Sequence, residues 1–191
     1  MHRQPLLRAI RSYAQHHPGE EEIIARFLDF IEAEPDCFRR ELLCGHLTGS
    51  AWILNRAGDH VLLTHHRKLD IWVQPGGHCD GNPDILDTAL REAREESGLD
   101  PLEPIFEEIF DLDVHPIPAR GTEPAHFHWD VRFALRHNGD GQYEVSPESH
   151  DLAWVPLDRL TDFSRDESVL RMARKWAARQ RTGEPKQEVN S

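Results

Sequence analysis

Residues 125–135 read AHFHWDVRFAL, with apolar residues at 125, 127, 129, 131, 133 and 135 alternating with His126, His128, Asp130 and Arg132. A repeat of two puts successive side chains on opposite faces, which a strand satisfies and a helix cannot. Phe127 and Trp129, on the apolar face, are expected in the core. His126, His128 and Asp130 then form either the polar side of a half-exposed strand or a facial metal or acid-base cluster. Shorter β-rich runs are expected at 47–54, at 61–64 after a turn at Ala57-Gly58-Asp59, at 71–73 ahead of Pro75-Gly76-Gly77, at 104–114 and at 152–155.

Other segments carry a helical period. Leu6, Leu7, Ile10 and Tyr13 predict one amphipathic helix, and Ile23, Ile24, Phe27, Leu28 and Ile31 a second after the break at Pro18-Gly19. Glu20, Glu21 and Glu22 suit the first turn of that second helix as a solvated start, where negative charge complements the dipole. A third helix is expected over 84–97, ended by Gly98 in a left-handed cap. A fourth is announced by the capping box Ser164-x-x-Glu167 and carries Val169, Leu170, Ala173, Trp176 and Ala177 on one face. This organises the chain as an N-terminal helical extension over 1–45, a main domain over 46–181 and a polar tail over 182–191, expected to be disordered.

Lys and Arg total 22 against 34 for Asp and Glu, a net charge of −12, which disfavours nucleic acid as a partner and requires any anionic ligand to bring a metal. Cys37, Cys44 and Cys79 form no Cys-x-x-Cys pair, so a reducing compartment, the cytoplasm, is expected. The N-terminal residues lack the apolar run of a signal peptide, and no stretch reaches the length of a membrane span.

The chemistry concentrates in residues 76–99, GGHCDGNPDILDTALREAREESGL. On a helix of about 100° per residue, Ile85, Leu86, Ala89, Leu90 and Ala93 share one arc facing the core. Glu92, Glu95 and Glu96 share the neighbouring arc. Like charges at these spacings repel, and Glu95 and Glu96 also sit at the negative end of the helix dipole. Two unfavourable terms at one spot call for a compensating cation, and three hard oxygen ligands suit Mg²⁺ or Mn²⁺. Gly76-Gly77 allows close backbone approach to a ligand, and Arg91 lies one turn from Asp87, which could pin it.

This stretch resembles the signature of the Nudix hydrolase superfamily, G-x5-E-x7-R-E-U-x-E-E-x-G-U with U a bulky aliphatic residue. Gly77, Arg91, Glu92, Glu95, Glu96, Gly98 and Leu99 match at the required spacing. Ala93 is small for its aliphatic slot, and Pro83 stands where the family has its first glutamate, so Asp87 or Asp84 would have to substitute in orienting the arginine. The resemblance implies an α/β fold, an α/β/α sandwich with a mixed β-sheet, and does not cover the N-terminal helices. It implies that Glu92, Glu95 and Glu96 hold the metal together with a backbone carbonyl at Gly77, that Arg91 ties loop to helix, and that Arg91, Glu95 and Glu96 serve catalysis. The implied reaction is Mg²⁺-dependent hydrolysis of the diphosphate in a nucleoside diphosphate derivative of the nucleotide-sugar, ADP-ribose or nucleoside triphosphate type, by a metal-activated water.

The base that takes the water's proton stays open among Glu144, Glu148, Asp130 and the motif glutamates. His78, His126 and His128, with His65 and His66, would make a histidine-rich rim for phosphate or substrate. Trp72 could stack a nucleobase, and Arg67, Lys68, Arg120 and Arg132 could meet phosphates. A non-catalytic nucleotide sensor on the same fold is the main rival reading. An isopentenyl diphosphate isomerase, prompted by Cys44-Gly45-His46, is the remote one. The expected partner is a small molecule, with neither membrane nor nucleic acid involved, and a homodimer is open.

Overall fold

Both N-terminal helices form where their periods predict them. α1 spans Gln4–His16 and buries Leu6, Leu7, Ile10 and Tyr13, and α2 spans Glu21–Ala33 and buries Ile24, Phe27 and Ile31. Tyr13 Oη donates to Glu20 Oε2 at 2.6 Å, so one of the three expected solvated glutamates ties α1 to the start of α2. Arg3 Nη1 donates to Ile31 O and Glu32 O, satisfying carbonyls at the far end of α2. The computed structural model describes residues 2–67, 70–122, 124–147 and 149–182.

Eight strands follow: β1 Gly45–Leu54, β2 His60–His66, β3 Ile71–Val73, β4 Gly76–His78, β5 Leu102–Pro104, β6 Asp111–Ile117, β7 His126–His137 and β8 Ser149–Pro156. α3 covers Ile85–Ser97, and α4 covers Glu167–Thr182 after a short 3₁₀ turn. The strand order is β3-β2-β1-β7-β5, with β4 on β1, β6 on β7 and β8 on β2. The class is the α/β one that the motif implied, a mixed sheet with helices and an N-terminal helical extension. No helix of the described residues is long and apolar enough to cross a membrane.

The chain divides into two compact units. The first comprises residues up to 50, 76–92 and 108–133, and the second 51–75, 93–107 and 134 onward; the boundaries fall inside β1, α3 and β7. In the first unit β1 pairs with β4 in the register Thr48↔His78, Gly49↔Gly77 and Ser50↔Gly76. β6 pairs with β7 there, placing Asp111, Asp113 and His115 opposite Arg132, Asp130 and His128. In the second unit β2 pairs with β1, β3 and β8, and β5 with β7. Its core gathers Trp52, Ile53, Leu54, Leu62, Leu63, Leu152, Val155, Met172 and Trp176, and Trp176 Nε1 donates to Gly58 O at 3.0 Å, pinning α4 to the β1–β2 turn.

Several expectations change. The run expected at 104–114 is two strands: the backbone N–H groups of Ile105 and Phe110 still reach Ala134 O and Arg132 O, but the residues between them leave the ladder. β4 was read only as part of a glycine loop; its ladder partner on β1 overrides the weak strand propensity of two glycines. Asp166 caps α4, its carboxylate accepting from Ser168 N, while Ser164 Oγ, two residues earlier, accepts from Asp166 N, so the cap is shifted from Ser164 to Asp166. α4 also runs through Thr182, where the polar tail was expected to begin; the rest of that tail lies outside the described residues.

β7 departs furthest from its period. Asp130 and Arg132 are as buried as Val131 and Phe133, His126 is buried too, and Phe127 is 43% exposed. The polar face of β7 is therefore not solvated. Phe127 is not core; Trp129 packs instead, stacked on Phe30 at 4.2 Å and edge-on to Phe27.

Candidate active site

Three side chains, Asn82, Asp84 and Arg91, fasten the loop 76–84 to α3. Asp84 caps the helix, its Oδ1 accepting from Asp87 N at 3.1 Å, and Asn82 braces the turn by accepting from Asp84 N and donating to Asp87 Oδ2. Both aspartates thus serve the helix start. Arg91 Nη2 donates to His78 O at 2.9 Å, and Nη1 meets Glu92 Oε1 at 2.8 Å. One guanidinium therefore joins the end of β4 to the first motif glutamate.

Close approach explains the glycines. A Cβ on Gly49 would come within 2.9 Å of Ile85, and one on Gly77 within 2.4 Å of the Glu92 carboxyl carbon, so β1 and β4 meet α3 through bare backbone. Ile85, Ala89 and Ala93 are buried as expected, whereas Leu86 and Leu90 are only half-buried. Glu92 keeps 16% of its side chain exposed, and along the same helix Glu95 is exposed and Glu96 half-buried. At spacings of three and four they line one side of α3. Gly98 follows with φ +67°, its N–H on Arg94 O at 2.8 Å, the left-handed end the sequence implied.

The Glu92 carboxylate oxygens lie against the bare backbone of Gly77, and a carboxylate beside backbone oxygen is the donor chemistry that suits a hard divalent cation. A family model described as NUDIX domain matches residues 46–176. The chain belongs to the Nudix family. It is 29% identical over 133 residues to the asymmetrical bis(5'-nucleosyl)-tetraphosphatase of Rattus norvegicus, covering 69% of this chain and 82% of the relative. It is 43% identical over 56 residues to the Bos taurus m7GpppN-mRNA hydrolase NUDT17, covering 27% of this chain and 18% of that one. The chain spans 49% and 36% of the length of two further curated relatives, from Bacillus subtilis and an invertebrate iridescent virus. Among solved structures it resembles a Caenorhabditis elegans Ap4A hydrolase binary complex, with TM-score 0.58, 20% identity, and coverage of 71% of this chain and 98% of that one. It also resembles the NUDIX domain of Shewanella oneidensis NrtR complexed with ADP ribose, with TM-score 0.50, 19% identity, and coverage of 81% and 97%.

Beyond the Nudix motif the expected site residues separate. His78, His126 and His128 do gather in the first unit, joined by His46 and His115. Burial holds His78 down to about 4 and His128 down to about 2, with neighbouring cations and imidazoles adding to the effect, so both rings are neutral at physiological pH. His65 and His66 lie on β2 in the second unit, where His65 stacks on Trp72 at 4.9 Å. Phe163 meets Trp72 edge-on at 5.5 Å. Arg67 Nη2 donates to Ser149 O at 2.8 Å.

Arg132 is no phosphate contact. It is 2% exposed, and its guanidinium meets Asp130 at 2.7 Å, Asp111 at 3.1 Å and Asp113 at 3.3 Å. Burial works against its charge, and the three carboxylates outweigh burial. Asp130 also accepts from Thr48 Oγ1 and Ser50 Oγ, so as a base it is fully committed to structure. Lys68 and Glu148 lie outside the described residues. Glu144 N donates to Ser97 O at 2.7 Å, which fixes this residue at the C-terminal end of α3 with its side chain exposed.

His46, Asp111, Asp113 and His115 were not foreseen as partners of these groups. The signal that would have found His46 is its period-two spacing to Thr48 and Ser50 on β1, which becomes informative only once β1 is set beside β7.

Proposed function

We propose that this Nudix chain is a divalent-metal-dependent pyrophosphohydrolase that cleaves the diphosphate linkage of a nucleoside diphosphate derivative of the nucleotide-sugar, ADP-ribose or nucleoside triphosphate type. The observation that carries this reading is Arg91 holding Glu92 and the β4 carbonyl at once, which orients the first motif acid against the Gly77 backbone. Glu92, Glu95, Glu96 and the Gly77 carbonyl would hold Mg²⁺ or Mn²⁺. When bound, that ion neutralises diphosphate charge and lowers the pKa of a coordinated water.

The chain's own residues do the positioning. Arg91 keeps the cradle closed, and Asp84 and Asn82 keep the start of α3 in place under it. Glu144, with its backbone N–H on Ser97 O and its side chain exposed, stands beside the motif glutamates as a candidate to take the proton from the attacking water.

The test is hydrolysis of a panel of ADP-ribose, nucleotide sugars, nucleoside triphosphates and a dinucleoside tetraphosphate by the purified protein with Mg²⁺, Mn²⁺ or chelator. Glu95→Gln, Glu96→Gln and Glu144→Gln run alongside. Metal-dependent turnover of one panel member, lost in the first two variants and steeply reduced in the third, supports the proposal. Tight nucleotide binding without turnover in the parent protein would replace it with a sensor, in which Pro83 has silenced the site.

A further inference from the structure

We propose that His46, His78 and His128 form a second metal centre, chemically distinct from the glutamate site, that takes a first-row transition ion through three imidazole nitrogens. The three rings come from β1, β4 and β7, and one nitrogen from each lies within 4.8 Å of the other two. Ring centroids are 4.9, 4.9 and 5.1 Å apart, a near-equilateral triangle. A tetrahedral ion with bonds of about 2.0–2.1 Å holds its nitrogens about 3.3 Å apart, so modest side-chain rotation closes the site.

The sheet separates this centre from Glu92 of α3. Gly49 and Gly77 face α3, as the Ile85 and Glu92 contacts show. Strand alternation turns Thr48, Ser50 and His78 to the other face, and the bonds from Thr48 and Ser50 to Asp130 put His126, His128 and Asp130 on that face too. His46, two residues before Thr48, follows.

Three further observations favour an ion there over simple packing. His128 Nε2 is buried with no hydrogen-bond partner, an arrangement that folded proteins avoid. Next along the same face, Asp111, Asp113 and Asp130 surround the single guanidinium of Arg132, which sets a negative potential beside the rings. The neighbouring histidines are oriented by their own bonds: His126 Nδ1 lies 3.0 Å from Pro124 O, and His115 Nδ1 lies 3.1 Å from Asp113 Oδ2. Three imidazoles are wrong for Mg²⁺, which prefers oxygen, and right for zinc, nickel, copper or iron; zinc is the ion to try first. Three protein ligands leave a coordination position for water or a ligand atom.

The experiment is zinc titration of the metal-stripped 191-residue chain in excess Mg²⁺, with Co²⁺ absorption as a second probe and ¹⁵N spectra of the histidine rings as the direct readout. One equivalent of zinc should bind and shift the ring nitrogens of His46, His78 and His128. His128→Gln should weaken zinc at least about 100-fold, since losing even an outer partner of a ligand costs 10–100-fold. Glu92→Gln should leave zinc affinity unchanged. Absence of stoichiometric zinc from the parent protein, or unshifted rings with zinc lost in Glu92→Gln, overturns the proposal. If His128→Gln does not fold, the parent spectra decide alone. None of these readouts depends on hydrolysis.

Discussion

The Glu92 carboxylate lies against the backbone of Gly77 so closely that a methyl group on residue 77 would sit 2.4 Å from its carbon. The contact joins the strand before the loop to the helix after it, and Arg91 locks it from the side. Gly77→Ala must therefore push Glu92 away or lift β4. The expected outcome is a fall in metal-dependent turnover of about 100-fold, the cost of misplacing a catalytic group by about 1 Å. Steady-state kinetics with a metal titration measures it, and an unchanged kcat would contradict the geometry.

Arg132 anchors three buried or largely buried carboxylates. Replacing it with methionine keeps the volume and strands their charge, which costs about 3–5 kcal/mol for a buried pair broken from one side. Urea unfolding of Arg132→Met should show that loss in its midpoint. A loss below about 1 kcal/mol would mean that the network is solvated.

The buried imidazoles make stability depend on pH. His128 titrates at about 2 in the fold against 6.5 for an ordinary histidine, with burial as the main cause and His78, His46, His115 and His126 facing it. Between those values the unfolded chain binds a proton that the fold refuses. The contribution is thus fully present above pH 6.5 and declines as pH falls toward 2, with a slope of up to about 1.4 kcal/mol per pH unit. Urea midpoints of metal-stripped protein at pH 7, 6 and 5 should fall in that order. His128→Gln should flatten the decline; an equally steep decline in that variant would assign it to other groups.

The motif on α3 was legible because its information is local. Arg91, Glu92, Glu95 and Glu96 are placed by helical spacing alone, and Gly98 ends the helix by a backbone preference that only glycine meets cheaply. The role of Arg91 was legible through the resemblance, but its partners were not. Asp87, one turn away in sequence, accepts from Asn82, because the cap at Asp84 draws both groups into the helix start.

The sequence by itself determined the four helices, most of the strands and the acidic side of α3, since these depend on residues a few positions apart. Only the tertiary structure decided what the two faces of β7 meet. Period two states that His126, His128, Asp130 and Arg132 share a face; whether that face sees water depends on distant partners. Asp111 and Asp113 on β6, and Thr48 and Ser50 on β1, satisfy the charged end of that face and allow it to be buried. On the other face Phe27 and Phe30 of α2 cover Trp129, while Phe127, beyond that cover, stays exposed. A buried polar face is stable only when each group finds a partner, and those partners lie tens of residues away, where local pattern carries no information.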